Sequence, residues 1–358
     1  MIGAFLLTGC GFSETDRARD RTENAEHPAG LAANTRGLSK VTRGASFAAT
    51  TADEGRAAEV GRDILQAGGN ATDAAAAMYF ALAVTLPSAA SLGASGACVV
   101  HNDKTKKAEA FVFAPVAAPG PIRGQSFSVP SGVRAITLMH VRHGSLRWEQ
   151  TVSPGERMAR FGVPVSRGLS RDLQAGGGLI GADAEARRIF GTAAEGASLV
   201  QPDLAATLGA IRQRGGGEFF QGAFARTFSE QVSLAGGSLP FETLRSTVPQ
   251  ASAPLTETHY RSRVYTAPAP AAGAAAMAGW KGQQPGGSAP ADSGGFAGFA
   301  AGDVRGGAPA RRPPAGPPFG GPLVGARPGT PARVPAAPAP GGSPPWVGKS
   351  RNARGTLP

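Results

Sequence analysis

The clearest alternation of apolar and polar positions in the chain lies within residues 53–100. Apolar or small residues recur at helical spacing there, at positions 57, 60, 61, 64 and 65, and charged residues occupy most of the opposite side. This periodicity predicts an amphipathic helix. The acidic residues Asp53, Glu54 and Asp63 are expected on its solvated face and first turn, where a negative charge complements the helix dipole.

Two glycines, Gly68 and Gly69, are predicted to end this helix, because glycine adopts the left-handed conformation of a helix C-terminus without steric cost. A second helix is predicted to begin at Asn70. Asparagine is a favourable N-cap residue, and Asp73 follows at the position that completes a capping box. Residues 74–84 are apolar on every side, which indicates a helix buried all round.

After this second helix the chain mixes predicted strands and helices. A loop of small residues, 88–96, leads into an apolar strand, 97–100, which is predicted to form an antiparallel hairpin with 108–113. Later helices are predicted at 132–141, 148–161 with an interruption at Pro154, 166–174, 202–213 and 218–234, and a strand at 260–266. Helices packed about a short sheet, without a glycine-rich phosphate loop, indicate an α/β layered protein.

Several ordered blocks of this region resemble the large subunit of the gamma-glutamyltransferases, also called glutathione hydrolases. The first is GRDILQAGGNATDAAAA, residues 61–77, and the others are 128–169, 201–225 and 259–277. The resemblance covers a large-subunit-like domain at 45–280. It implies an N-terminal nucleophile hydrolase-like αββα sandwich, here incomplete. It also implies glutathione or related γ-glutamyl peptides as the ligand, and no cofactor.

The resemblance further implies a nucleophile. In that family the precursor cleaves itself, and the freed N-terminal threonine attacks the γ-glutamyl amide with its own α-amine as base. The segment 293–306 resembles the place of that threonine, and Asp303 matches the family's turn aspartate. This match places Ala297 at the nucleophile position. Alanine has no hydroxyl, so no catalytic residue is identified, and we expect neither self-cleavage nor acylation.

The residues that would bind the substrate also differ. The family places an arginine after the strand phenylalanine to bind the glutamate α-carboxylate in a bidentate manner, whereas Phe113 is followed here by Ala114. Arg123 on the next loop is a candidate replacement, and the alternative is a solvated surface arginine. His140 and His143 form an HxxH motif without a third ligand, so we expect a solvated helix face and no metal site.

The N-terminal residues carry a possible targeting signal. Residues 1–10 read MIGAFLLTGC and end in a match to the bacterial lipobox, in which Cys10 would be lipidated. Residues 11–44 are polar and without periodicity, which is typical of a flexible tether. These features predict a lipoprotein anchored to the membrane, in the periplasm or at the cell surface. The alternative is an apolar N-terminus with an incidental cysteine.

The C-terminal segment, 281–358, differs from the rest in composition. From Gln283 onward it holds 16 of the 30 prolines, with eight Lys/Arg and two acids, so it contributes +6 of the net charge of +11. Such a Pro/Gly/Ala-rich segment is not expected to build a core, and it is interpreted either as a disordered tail or as coding sequence read out of frame. Its basic residues lie in a Pro/Gly background with hardly any stacking aromatics, so no nucleic-acid partner is expected.

The sequence therefore leaves two functional hypotheses. The first is a gamma-glutamyltransferase-like protein whose transfer or hydrolysis reaction is impaired. The second is a non-catalytic, lipid-anchored binding or scaffold protein, or the product of a pseudogene.

Overall fold

The computed structural model describes residues 48–102, 105–122, 127–259, 262–271, 273–280, 297–303, 310–311, 324–326 and 330–332. The predictions for Cys10, for the tether at 11–44, for Arg123 and for most of 281–358 concern residues outside these ranges. Within the ranges, no helix combines the length and the apolar character needed to cross a bilayer.

The helices are α1 (Gly55–Gln66), α2 (Ala71–Thr85), α3 (Gly132–His143), α4 (Trp148–Phe161), α5 (Arg167–Ala175), α6 (Gly177–Ala182), α7 (Ala184–Phe190), α8 (Pro202–Arg214), α9 (Glu218–Gln221), α10 (Ala223–Leu234), α11 (Phe241–Ser246) and α12 (Gly273–Trp280). The strands are β1 (Ala49–Ala52), β2 (Gly96–Asn102), β3 (Lys107–Phe113), β4 (Val116–Ala117), β5 (Ser128–Val129), β6 (Val163–Pro164), β7 (Ser198–Leu199), β8 (Gln250–Ser252), β9 (Leu255–His259), β10 (Ser262–Thr266), β11 (Phe299–Gly302), β12 (Ala310–Arg311), β13 (Val324–Ala326) and β14 (Thr330–Ala332).

An antiparallel six-stranded sheet, in the order β1-β11-β12-β2-β3-β8, organises the fold. The predicted hairpin is confirmed, with Gly96 opposite Phe113 at one end of β2–β3. Strand β11 joins this sheet between β1 and β12, and Ala52 lies opposite Phe299. The remaining strands form two-stranded pairs, β9–β10, β4–β5, β6–β7 and β13–β14.

The core centres on α2, in which every residue is buried as the all-apolar pattern predicts. Its alanines let neighbouring elements approach closely, and its aromatic residues fill the remaining space. Phe80 makes edge-to-face contacts with Tyr79 and with Trp148 of α4. On the sheet, Phe111 and Phe299 belong to the same cluster of buried apolar side chains.

The predicted end of the first helix and the predicted start of the second are confirmed. Gly68, just beyond the end of α1, has φ of +89°, a conformation that glycine adopts easily. Asn70 caps α2 and forms a complete capping box with Asp73. The apolar strand begins at Gly96, one residue earlier than expected.

Two helix predictions are wrong in detail. Helix α4 continues through Pro154, although proline costs about 3 kcal/mol inside a helix. Its packing against α2 is tight: a Cβ on Gly155 would lie 3.0 Å from the backbone of Phe80. We attribute the continuous helix to this packing. The predicted helix at 218–234 is instead divided into α9 and α10, because Gly222 takes an extended conformation.

The segment after Gln283 was predicted not to build a core, and residues 297–303 of it join the core of the preceding chain. Ala297, Phe299 and Ala301 are buried, and β11 pairs with β1 over its full length. The physical reason is that this short segment does not need to build a core of its own. It completes a core that the preceding residues provide.

Candidate functional site

One end of the sheet brings together the positions that the sequence singled out. Strands β2 and β11 both pair antiparallel with β12, so they run parallel to each other, and Cys98 and Phe299 share the partner Arg311. Two residues earlier in the chain are Gly96, the first residue of β2, and Ala297, which precedes β11. Because Gly96 lies opposite Phe113 on β3, residues 96, 113 and 297 lie at the same end of the sheet, which we call the site edge.

The loop that leads into the site edge is held by α2. The hydroxyl of Tyr79 donates to the carbonyl oxygens of Ser91 and Leu92, at 3.2 and 3.0 Å. The start of α3 packs against the same place. A Cβ on Gly132 would lie 2.4 Å from Tyr79 Oη and 2.6 Å from the carbonyl oxygen of Ala94, so only glycine fits. The loop backbone is therefore fixed on two sides.

The head of β11 is bonded to Asp53, which directly follows β1. The Asp53 amide donates to the Gly298 carbonyl at 3.0 Å, and the Gly298 amide donates to Asp53 Oδ2 at 2.7 Å. The neighbouring Glu54 was expected in solvent, and this is wrong. It is 4% exposed because its carboxylate caps α1 by accepting from the Ala57 amide at 3.1 Å.

The other end of β11 is bonded to the start of α2. The Ala71 amide donates to Asp303 Oδ2 at 2.9 Å, and the Thr72 and Asp73 amides donate to Asn70 Oδ1. The first three amides of α2 therefore all have side-chain acceptors. Asp303 thus connects the end of the strand to a helix 232 residues away in sequence.

A second network surrounds the buried carboxylate of Asp73. It accepts from the amides of Asn70 and Leu146, from the amide and hydroxyl of Ser145, and lies 3.2 Å from His140 Nε2. Burial by itself raises the pKa of Asp73. The contact with His140 and the hydrogen bonds from Asn70 and Ser145 together outweigh burial, so the pKa of Asp73 is lowered from its ordinary value.

The HxxH motif does not converge on one point. His140 is 7% exposed and contacts Asp73, so the expectation that it lies on a solvated helix face is wrong. His143 Nε2 lies 2.8 Å from Glu109 Oε2, and Arg142 binds the same carboxylate. Across the described ranges, no group of three or more His, Cys, Asp or Glu residues is placed to hold a metal ion.

The structure places each predicted site residue as follows. Ala297 is buried at the site edge and Ala114 is half-buried next to Phe113. Arg123 and Cys10 lie outside the described residues, and the assignment of the nucleophile position to Ala297 stays a prediction. Sequence reasoning missed the contact of Asp53 with Gly298. No local signal could reveal it, because its partner is 245 residues away.

Comparison with known proteins supports the resemblance. The family profile Gamma-glutamyltranspeptidase matches residues 57–281. The glutathione hydrolase proenzyme of Escherichia coli is 30% identical over 239 residues, which are 61% of this chain and 41% of the relative. Glutathione hydrolase 3 of Arabidopsis thaliana is 29% identical over 54% of this chain and 33% of the relative. The chain therefore spans only about a third to two fifths of the length of these relatives.

The fold agrees with this assignment. The solved gamma-glutamyltranspeptidase of Pseudomonas nitroreducens superposes with a TM-score of 0.59 and 26% identity, covering 69% of this chain and 76% of that one. The predicted α/β fold of the N-terminal nucleophile hydrolases is thus confirmed. By its sequence and its fold, the chain belongs to the gamma-glutamyltranspeptidase family.

Proposed function

We propose that this chain binds the γ-glutamyl compounds on which its family acts, but that it forms no acyl-enzyme at position 297. The observation that carries the proposal is the location of Ala297, buried at the head of β11 on the site edge. A nucleophile here would need a hydroxyl or thiol, and alanine supplies only a methyl group. Without it, neither chain cleavage before residue 297 nor transfer of an acyl group can start there.

The proposed ligand is glutathione or a related γ-glutamyl peptide. Relatives named glutathione hydrolase, 29–30% identical to this chain, support that class of ligand. With Ala114 after Phe113, no guanidinium stands at the position that the family resemblance assigns to α-carboxylate binding. We therefore expect weak binding, with Arg123 as the candidate replacement. Lipidation at Cys10 and a periplasmic or cell-surface location are also part of the proposal.

Measurements of turnover and of the intact mass of the chain test whether residue 297 supports acylation or self-cleavage. The purified full chain is incubated with γ-glutamyl-p-nitroanilide, and absorbance of released p-nitroaniline is followed beside the Escherichia coli relative as positive control. We expect no release above the uncatalysed rate, and a single intact chain by mass spectrometry. Release that scales with protein concentration, or cleavage before Ala297, would overturn the proposal.

The second candidate is a non-catalytic binding or scaffold protein. It is favoured by the contrast between the retained loop framework, fixed by Tyr79 and Gly132, and the methyl group at position 297. Titration calorimetry with glutathione separates a protein that recognises γ-glutamyl compounds from a scaffold. Binding without turnover supports recognition as the remaining function. Turnover would overturn the proposal that no acyl-enzyme forms, and neither binding nor turnover would indicate a scaffold or an inactive relic.

A further inference from the structure

The pairing of β1 with β11 continues by one residue pair, Asp53 and Gly298, in which one of the two hydrogen bonds is made by a side chain. In an antiparallel ladder, two residues of a hydrogen-bonded pair exchange two backbone N–H···O bonds. Asp53 and Gly298 stand where the next such pair would follow Thr51 and Ala300. One bond is ordinary, from the Asp53 amide to the Gly298 carbonyl at 3.0 Å. The other runs from the Gly298 amide to the Asp53 carboxylate at 2.7 Å.

The Asp53 carboxylate thus accepts the hydrogen bond that the Asp53 backbone carbonyl would accept in a regular antiparallel ladder. Beyond Asp53 the chain leaves the sheet, since Glu54 is already the N-cap of α1. Glu54 is committed to that cap through the Ala57 amide and to an ion pair with Arg56 at 3.1 Å. A charged acceptor also makes a stronger hydrogen bond than a neutral carbonyl does. The ladder is therefore extended by one rung after β1 has ended.

This additional rung lies next to the residue on which the proposed function depends. Gly298 directly follows Ala297, and Ala297 is completely buried at the site edge. The two bonds to Asp53 hold both polar backbone groups of Gly298. They consequently fix the direction in which the chain enters β11, and with it the position of residue 297 relative to Gly96 and Phe113.

We propose that Asp53 is a positioning residue, which holds the backbone of residues 297–298 in the geometry that ligand recognition at the site edge requires. This inference rests on the proposed function for its ligand, but the anchoring of Gly298 can be measured independently. It assigns no chemical step to Asp53. The carboxylate acts through the backbone of its neighbour strand.

The test compares three variants of the full chain at a temperature where circular dichroism shows all of them folded. Asp53→Ala removes the acceptor, whereas Asp53→Asn retains a side-chain oxygen that can accept from Gly298. Asp63→Ala is the matched control, since Asp63 is 62% exposed and pairs with Arg62 on the outside of α1. The readouts are residue-resolved hydrogen exchange of the Gly298 amide by NMR and the dissociation constant for glutathione by calorimetry.

For Asp53→Ala, we expect Gly298 exchange to rise roughly ten- to a hundredfold, the equivalent of one lost charged hydrogen bond. The glutathione affinity should fall about tenfold in the same variant. Asp53→Asn keeps a neutral, weaker acceptor, so both of its readouts should lie between those of Asp53→Ala and wild type, and Asp63→Ala should stay close to wild type. Unchanged exchange in Asp53→Ala, or no rescue by Asp53→Asn, would refute the inference. Faster exchange with unchanged affinity would reduce Asp53 to a structural role. If wild type binds no glutathione, the proposed function fails, and exchange alone still decides whether Asp53 anchors the strand.

Discussion

Helix α2 and strand β11 lie side by side in the core, but their conformations are determined in different ways. Helix α2 is buried at all 15 positions, and its sequence agrees with its structure from the Asn70 cap to Thr85. Strand β11 is only four residues long and follows a Pro/Gly-rich segment, yet it lies inside the sheet with Phe299 and Ala301 buried. The helix is specified locally, whereas the strand is specified by its neighbours.

This difference separates the fold from the chemistry. The residues that position the site edge belong mainly to the framework around α2, including Tyr79, Gly132 and the loop that they hold. Under the proposed function, the reacting residue is expected at position 297, just before β11, where this chain has alanine. On this proposal, the chain retains the framework of its family without the reactive group, because packing and reactivity depend on different side chains.

The largest loss of stability is expected when a large side chain of α2 is removed. Phe80→Ala deletes a fully buried ring that contacts Tyr79 and Trp148. We expect the free energy of unfolding to fall by about 3–5 kcal/mol, measured by urea titration with circular dichroism. Val141→Ala is the control, because Val141 is 76% exposed. An equal loss in both variants would show that α2 is not the centre of stability.

A somewhat smaller effect is expected at the start of α2. Asp73→Ala leaves the amide donors of Asn70, Ser145 and Leu146 without their buried acceptor, and should cost about 3 kcal/mol. The pH dependence follows from the lowered pKa of Asp73 in the folded state. Its stabilising contribution is complete above the ordinary aspartate pKa of about 4 and is lost as pH falls through the lower folded value.

Urea midpoints measured from neutral pH down to about pH 2.5 check this sign, because they cover the range on both sides of the ordinary aspartate pKa. Asp73→Asn is the matched variant, since it keeps the shape of the side chain but cannot titrate. We expect its stability to fall less steeply in acid than that of the wild type. Parallel acid profiles for the two proteins would contradict the role assigned to the Asp73 carboxylate.

The smallest effect on stability is expected from the hydrogen bond that joins β11 to α2. Asp303→Ala removes the acceptor for the Ala71 amide and should cost about 1 kcal/mol, the usual effect of losing a helix cap. Asp303→Asn keeps an acceptor oxygen and should lose less. Urea titration again measures both. No difference between these two variants would mean that β11 and α2 are joined by packing alone.

Local patterns in the sequence predicted much of the fold but little of the site. Helices α1 and α2 and the β2–β3 hairpin follow from periodicity and capping residues, which act over a few positions. Pro154 and Gly222 show the limit of such patterns. Packing against α2 accompanies a helix that continues through the proline, whereas the glycine divides a segment whose apolar pattern is continuous.

The buried helix, its N-terminal cap and the hairpin were predictable from the sequence, because each depends on residues close together in the chain; the family resemblance was predictable because several blocks occur in the same order. Long-range packing instead brings residues 297–303 into the sheet, binds the two ends of this segment through Asp53 and through Asp303, and buries His140 beside Asp73. These contacts join residues 67 to 245 positions apart. Their formation depends on the packing of the whole core, which no local pattern encodes.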